Sequence, residues 1–198
     1  MKTDLIRIFT IQKLTWIKQQ QKKLREQDRE TPREYIEKES HYLWGKRYLL
    51  EVVTVDESPH VELTHQKVQL YTRPNTTEVK KQQIIDTWYR EVLKEAIQPL
   101  IDKWEPKMNV SVEKFFIQRM KTKWGSCTPS KNSIRINLEL AKKYPECLEY
   151  IVVHEMVHLL EASHNKRFVA FMNHLLPKWR SHRDELNRLP VRHEAWKY

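Results

Sequence analysis

His154, Glu155 and His158 stand in the order His-Glu-Met-Val-His, and His164 follows six residues later. Two histidines four apart on a helix project from one face about one turn from each other, so both imidazoles reach a single metal ion. The glutamate between them projects beside the pair, where a carboxylate can take a proton from a metal-polarised water. A third imidazole from His164 leaves the fourth coordination position open, as catalytic zinc requires. The spacing therefore predicts one Zn2+ ion held by His154, His158 and His164, with Glu155 as the catalytic base of a metal-dependent hydrolase. An ordinary buried helix that happens to carry two histidines is the alternative. Leu148, Ile151, Val152, Val153, Val157, Leu159 and Leu160 make 146–160 mostly apolar, a helix covered on most sides. Burying His154, Glu155 and His158 in it is costly unless a partner compensates, and a metal supplies one.

The third ligand has rivals. Glu161 lies three residues beyond His158, but a straight helix places it roughly 10 Å along the axis from His154, too far for zinc bonds of about 2 Å. Asp184 and Glu185 are candidates from a later helix. His164 serves only if the metal helix ends near Ala162-Ser163 and the chain folds back. Asn165 can then cap a following helix with Phe168, Phe171, Met172 and Leu175 on its inner face.

The elements that must position these residues are readable in outline. A helix over 3–30 takes apolar contacts from Leu5, Ile8, Ile11, Leu14, Trp16 and Ile17, and its half from Lys18 to Glu30 projects from the body. Residues 31–42 form a polar connection. Short β-runs at 47–55, 60–64 and 67–71 fit an antiparallel three-strand meander. Thr76 or Thr77 caps a helix with Ile84, Ile85, Trp88, Val92, Ile97 and Leu100 inward, kinked at Pro99. Strands at 110–118 and 133–137 flank a turn over 124–131. The metal helix follows Pro145, and two helices around 165–176 and 178–188 are separated by Pro177. The fold class expected is α+β: a small antiparallel sheet, the HExxH metal-binding helix and C-terminal helices. The domain division expected is 1–43 for the N-terminal helix and connection, 44–190 for the metallohydrolase domain and 191–198 for a tail.

Composition narrows the function classes. The chain has 198 residues, 39% hydrophobic and 31% charged, which fits a soluble protein with a true core. No apolar run approaches a membrane span, and the first residues lack a signal-peptide apolar region, so a cytoplasmic protein without a membrane partner is expected. Cys127 and Cys147 form no CxxC pair and no disulfide framework. With only Gly45 and Gly125 for glycines, a glycine-rich phosphate loop is excluded. A net charge of +10 is either a solvated basic surface or a preference for polyanions such as nucleotide or nucleic acid. Strand alternation would place Arg119, Lys121 and Lys123 on one face. Around Gly125 a tight turn lets the chain approach closely, and Trp124 can pack on the metal helix. Ser126 or Asn137 can hold a ligand histidine's second nitrogen, unless that segment is only a packed turn.

The succession Arg119-x-Lys121-x-Lys123-Trp124-Gly125-Ser126-Cys127, Ile134-x-Ile136-Asn137-x-x-Leu140, Tyr150-Ile151-Val152-Val153-His154-Glu155-x-x-His158, His164 and Phe168 resembles the YgjP-like metallopeptidase family of metal-dependent hydrolases. It has more distant similarity to SprT-like and WLM zincins. The likeness is strongest over 113–188 and looser through 44–71 and the Trp16-Ile17 helix. It implies a zincin-like fold, the same three histidine ligands and Glu155 as general base. It also implies a β-hairpin ahead of the Trp16-Ile17 helix, for which the residues before Trp16 are expected to be too few. Glu161 stands where metzincins, which share the ligand spacing, have glycine, so the chain is not grouped with them.

Three functions remain open from sequence. The first is peptide hydrolysis through a zinc-bound water activated by Glu155, with a peptide or protein as substrate. In the second, a nucleoside triphosphate pyrophosphohydrolase, Lys121, Lys123 and Arg135 neutralise phosphate, although histidine ligands suit zinc better than magnesium. The third is a nucleic-acid-associated zinc protein or a DNA-recruited protease, whose binding would weaken steeply with salt.

Overall fold

The structure, a computed structural model, describes residues 3–26 and 33–188. The expected helix end at 27–30 and the expected tail at 191–198 lie outside these residues. The fold is α+β, with two small sheets, a long central helix and helices at the C-terminal end.

Helix α1 spans Thr3–Glu26. Ile11, Leu14 and Trp16 are 65%, 41% and 59% exposed, so among the described residues these three are largely uncovered, while Ile17 is half-buried. The side chains of Leu5 and Ile8 lie outside the described set. The segment 31–42, expected to be a polar connection, buries Tyr35 and His41 and runs into strand β1, Ser40–Leu43. Trp44 and Gly45, both at positive φ, turn β1 into β2, Lys46–Thr54. Their amides donate to the carbonyls of Ala141 and Lys142, which seats this hairpin on the segment just before the helix that carries His154 and Glu155.

Strands β3, His60–Leu63, and β4, Lys67–Thr72, complete the first sheet in the order β1-β2-β4-β3. This corrects the expected meander, because β4 inserts between β2 and β3 and runs parallel to β2. Short strands with short links look alike in sequence whichever neighbour they pair with. Burial separates them here, since Leu50, Val68 and Leu70 all face the core.

Helix α2 spans Glu78–Met108 and passes through Pro99 and Pro106 without ending. The Thr77 hydroxyl accepts from the Lys80 amide at its start, and Asn109 closes it in the left-handed region. Its buried stripe is Ile85, Tyr89, Leu93, Ile97, Ile101, Trp104 and Met108. That stripe is rotated about one position from the one expected, leaving Ile84, Trp88, Val92 and Leu100 as flanks. Tyr89 can enter the core because its hydroxyl donates to the Tyr42 carbonyl at 2.7 Å.

The second sheet holds β5, Lys114–Gln118, β6, Gly125–Thr128, and β7, Ser133–Asn137, in the order β5-β7-β6. β5 runs parallel to β7 and β6 antiparallel to it, so both sheets are mixed rather than antiparallel. Two expectations change here. Gly125–Thr128 is an edge strand, not part of a turn, and β5 stops at Gln118, so Arg119, Lys121 and Lys123 do not alternate along a strand.

Helix α3, Pro145–Val157, carries the motif and is buried on nearly every side. It packs against α2, β6, β7 and the last helices, α4, Lys166–Leu175, and α5, Trp179–Arg188.

Candidate metal centre

α3 ends several residues earlier than expected. His158 is its C-cap, and the amides of Leu159, Leu160 and Glu161 close a tightened turn onto Met156 and Val157. The chain then reverses, and the Asn165 side chain accepts from the Arg167 and Phe168 amides to start α4. This reversal carries His164 back over α3. The imidazoles of His154, His158 and His164 each offer a ligand nitrogen, all within 4.8 Å of one another. The Nε2 atoms of His154 and His164 are 3.0 Å apart. Nitrogens sharing a tetrahedral zinc at bonds of about 2.05 Å stand about 3.3 Å apart, so the cluster has the right size for one such ion.

The protonation pattern also fits a cation. Burial, then the neighbouring His158 and His164, push the His154 imidazole down to about 3, so it stays neutral with a free lone pair. His158 Nδ1 lies 3.0 Å from the Glu161 carbonyl oxygen, which can only accept, so that nitrogen carries the proton and Nε2 is left for a metal. Three imidazoles suit zinc and similar transition ions better than magnesium. Phe168 packs against all three rings at centroid distances of 4.7–4.9 Å.

The rival ligands stand elsewhere. The Glu161 carboxylate accepts from the Ser163 amide and hydroxyl, and Asp184 pairs with Arg183. Neither these two nor Glu185 nor Cys127 joins the histidine group among the described residues. Burial pushes the Cys127 thiol up to about 11, away from the thiolate a metal needs.

Glu155 is only 4% exposed and faces β6. Burial pushes its carboxyl up to about 8, against a weaker opposite pull from Lys123. A Cβ on Gly125 would sit 2.6 Å from Glu155 Oε1, so the absent side chain makes the space the carboxyl occupies. Lys123, Trp124, Gly125, Ser126 and Cys127 wall one side of a cleft of about 500 Å³ whose other side holds His154, Glu155, His158 and His164.

Other sequence-predicted residues divide between the cleft and its supports. Arg119 is turned away, its Nη2 2.6 Å from both Asp86 oxygens. Lys121 is exposed and does not line the cleft. Asn137 does not meet a ligand histidine. Its Nδ2 donates to the Met120 and Lys123 carbonyls at 2.9 and 2.7 Å, and its Oδ1 accepts from the Met120 and Glu139 amides. His154 Nδ1 is buried without a hydrogen-bond partner, so Ser126 does not serve it either. Tyr150, absent from the sequence-based candidates, lines the cleft with its ring edge-on to His154. Its place four residues before His154 puts it on the same helix face, a signal the sequence carried.

The family described as YgjP-like, metallopeptidase domain, matches residues 1–189. Two solved structures of metallopeptidase zymogens are similar to part of the chain. Abylysin of Pyrococcus abyssi has 17% identity and a TM-score of 0.43, with 46% of this chain and 90% of that one covered. Jannalysin of Methanocaldococcus jannaschii has 20% identity and a TM-score of 0.40, with 46% and 92% covered. No curated protein matches the chain. No described helix is long and apolar enough to cross a membrane.

Proposed function

The chain belongs to the YgjP-like metallopeptidase domain family, and from that premise we propose that it is a zinc-dependent peptidase whose ligands are His154, His158 and His164 and whose general base is Glu155. The observation that carries this is the convergence of three imidazole nitrogens beside a carboxyl buried against Gly125. A zinc ion bound there would supply Lewis acidity, lowering the pKa of a water and polarising the scissile carbonyl. Glu155 takes the proton of the attacking water and hands it to the leaving amine, and its burial keeps bulk water from competing for that proton. His158 is held in the metal-binding tautomer by the Glu161 carbonyl.

A peptide is favoured as substrate by β6. This strand pairs only with β7 among the described residues and walls the cleft, so its other edge can hydrogen-bond an extended chain. A triphosphate is less well served. Of Lys121, Lys123 and Arg135 only Lys123 lines the cleft, while Arg135 donates to Thr128 and lies over the Phe116 ring.

The test is Glu155→Gln in zinc-loaded protein. Zinc content is expected to stay at the wild-type level while peptide hydrolysis falls about 10²- to 10⁴-fold. Retained turnover would remove Glu155 from its role. Pyrophosphate release from nucleoside triphosphates without peptide cleavage, on the same sample, would replace the peptidase with the pyrophosphohydrolase.

A further inference from the structure

We propose that Lys123 is the carboxylate-recognising residue of this cleft, so that the enzyme selects peptides bearing a carboxylate near the scissile bond, from an acidic side chain or a free C terminus. This rests on the peptidase proposal above and names its substrate class.

The cleft wall contains one lysine or arginine among the described residues, and it is Lys123. The cations around it are engaged. Arg119 pairs with Asp86, Lys142 with Glu139, and Lys143 lies over the Trp124 ring. Lys123 is exposed and makes no ion pair with a described carboxylate, so its ammonium is available to a ligand. Its backbone is nonetheless fixed. Asn137, 4% exposed, holds the Lys123 carbonyl through Nδ2 and the Trp124 carbonyl through its own amide at 2.9 Å, and brackets Met120 on both sides. A segment outside any strand is thereby pinned at the entry to β6, and a peptide laid along β6 must pass its cation. Lys123 and Glu155 line the same cleft, so a carboxylate bound at Lys123 stays near the reacting centre.

The test uses blocked peptides that differ only by Glu, Gln or Lys at a position scanned along the chain, each with a free or amidated C terminus. Binding is measured on zinc-loaded Glu155→Gln protein by peptide anisotropy, and cleavage on zinc-loaded wild type. Each is repeated with Lys123→Gln, Lys123→Glu and Lys123→Arg. At low salt the acidic peptide is expected to bind about 3- to 5-fold better than its Gln counterpart, an advantage that salt erodes. Lys123→Arg keeps this preference, Lys123→Gln abolishes it, and Lys123→Glu turns it toward the Lys peptide. The Glu series and the free-terminus series separate the two sources of the carboxylate. An acidic preference that survives Lys123→Gln, no preference in the Lys123 protein, or no binding at all overturns the proposal. A Lys123-dependent binding preference without cleavage upholds it and removes the peptidase assignment. Cleavage without the preference does the reverse. Because Lys123 is exposed, the variants are expected to melt with wild type, and Lys123→Arg controls for any that do not.

Discussion

Gly125→Ala is expected to disable the enzyme by displacing one carboxylate while leaving the metal bound. Gly125 is not at positive φ, so alanine meets no backbone strain there. The obstacle is contact. The added Cβ falls 2.6 Å from Glu155 Oε1, 2.8 Å from Cγ and 2.9 Å from Cδ. Carbon contacts are comfortable at roughly 3.5–4 Å, so the carboxyl must retreat by about 1 Å. All three atoms belong to the far part of one side chain, so Glu155 yields before β6 or α3 does, and overpacking should cost about 1–3 kcal/mol of stability. Misplacing a reacting group by about 1 Å costs on the order of 10²-fold in rate, or about 2.7 kcal/mol of barrier. The assay is kcat/KM on a cleaved peptide well below the melting temperature, with zinc content measured alongside. Zinc should stay at the wild-type level, because none of the atoms crowded by the new methyl belongs to a histidine. In a Glu155→Gln background the same substitution should cost little further, since the group it displaces no longer acts. Near-wild-type turnover in Gly125→Ala, or an equal loss in both backgrounds, would refute the reasoning.

Two further outcomes follow from the same geometry. His164→Ala should weaken zinc by more than roughly 100-fold in competition with a chelating dye, whereas Glu161→Gln should leave affinity nearly unchanged, because Glu161 supports His158 through its carbonyl and not its carboxylate. Away from the site, acid should loosen the first sheet. Burial works to raise Glu39, but the His41 imidazole 2.8 Å away and hydrogen bonds from the Glu34 and Tyr35 amides prevail and hold it at about 2, below the ordinary 4.5. Burial, partly offset by the adjacent Glu39 carboxylate, holds His41 below 6.5. Both groups bind fewer protons folded than unfolded. Their contribution is therefore complete above about pH 6.5, declines below it as unfolded His41 protonates, and falls again from pH 4.5 toward 2. Urea melts from pH 7 to 3 should show this loss, and Glu39→Gln should remove the part below pH 4.5.

What could be read from the chain was local in sequence. Two histidines four apart share a helix face wherever that helix lies, because 3.6 residues make a turn. Asn165 caps α4 through amides two and three residues on, and Thr77 caps α2 through the amide three residues on, so both helix starts were visible as residue types. The apolar surround of α3 announced a covered helix for the same reason. Strand partners were not visible. β4 lies between β2 and β3, and Gly125–Thr128 is an edge strand and not a turn, because pairing depends on which distant segment shares a buried face. The supports of the cleft were hidden in the same way. Asn137 reaches 17 residues back to Met120 and 14 back to Lys123, and Gly125 meets Glu155 across 30 positions of chain. Short-range spacing thus determined that His154 and His158 could meet one ion, and the chain reversal after α3 brought His164 to them. The packing of β6 on α3 alone decided how the Glu155 carboxyl is enclosed and which lysine faces the cleft, since contacts between remote segments exist only once the core between them has closed.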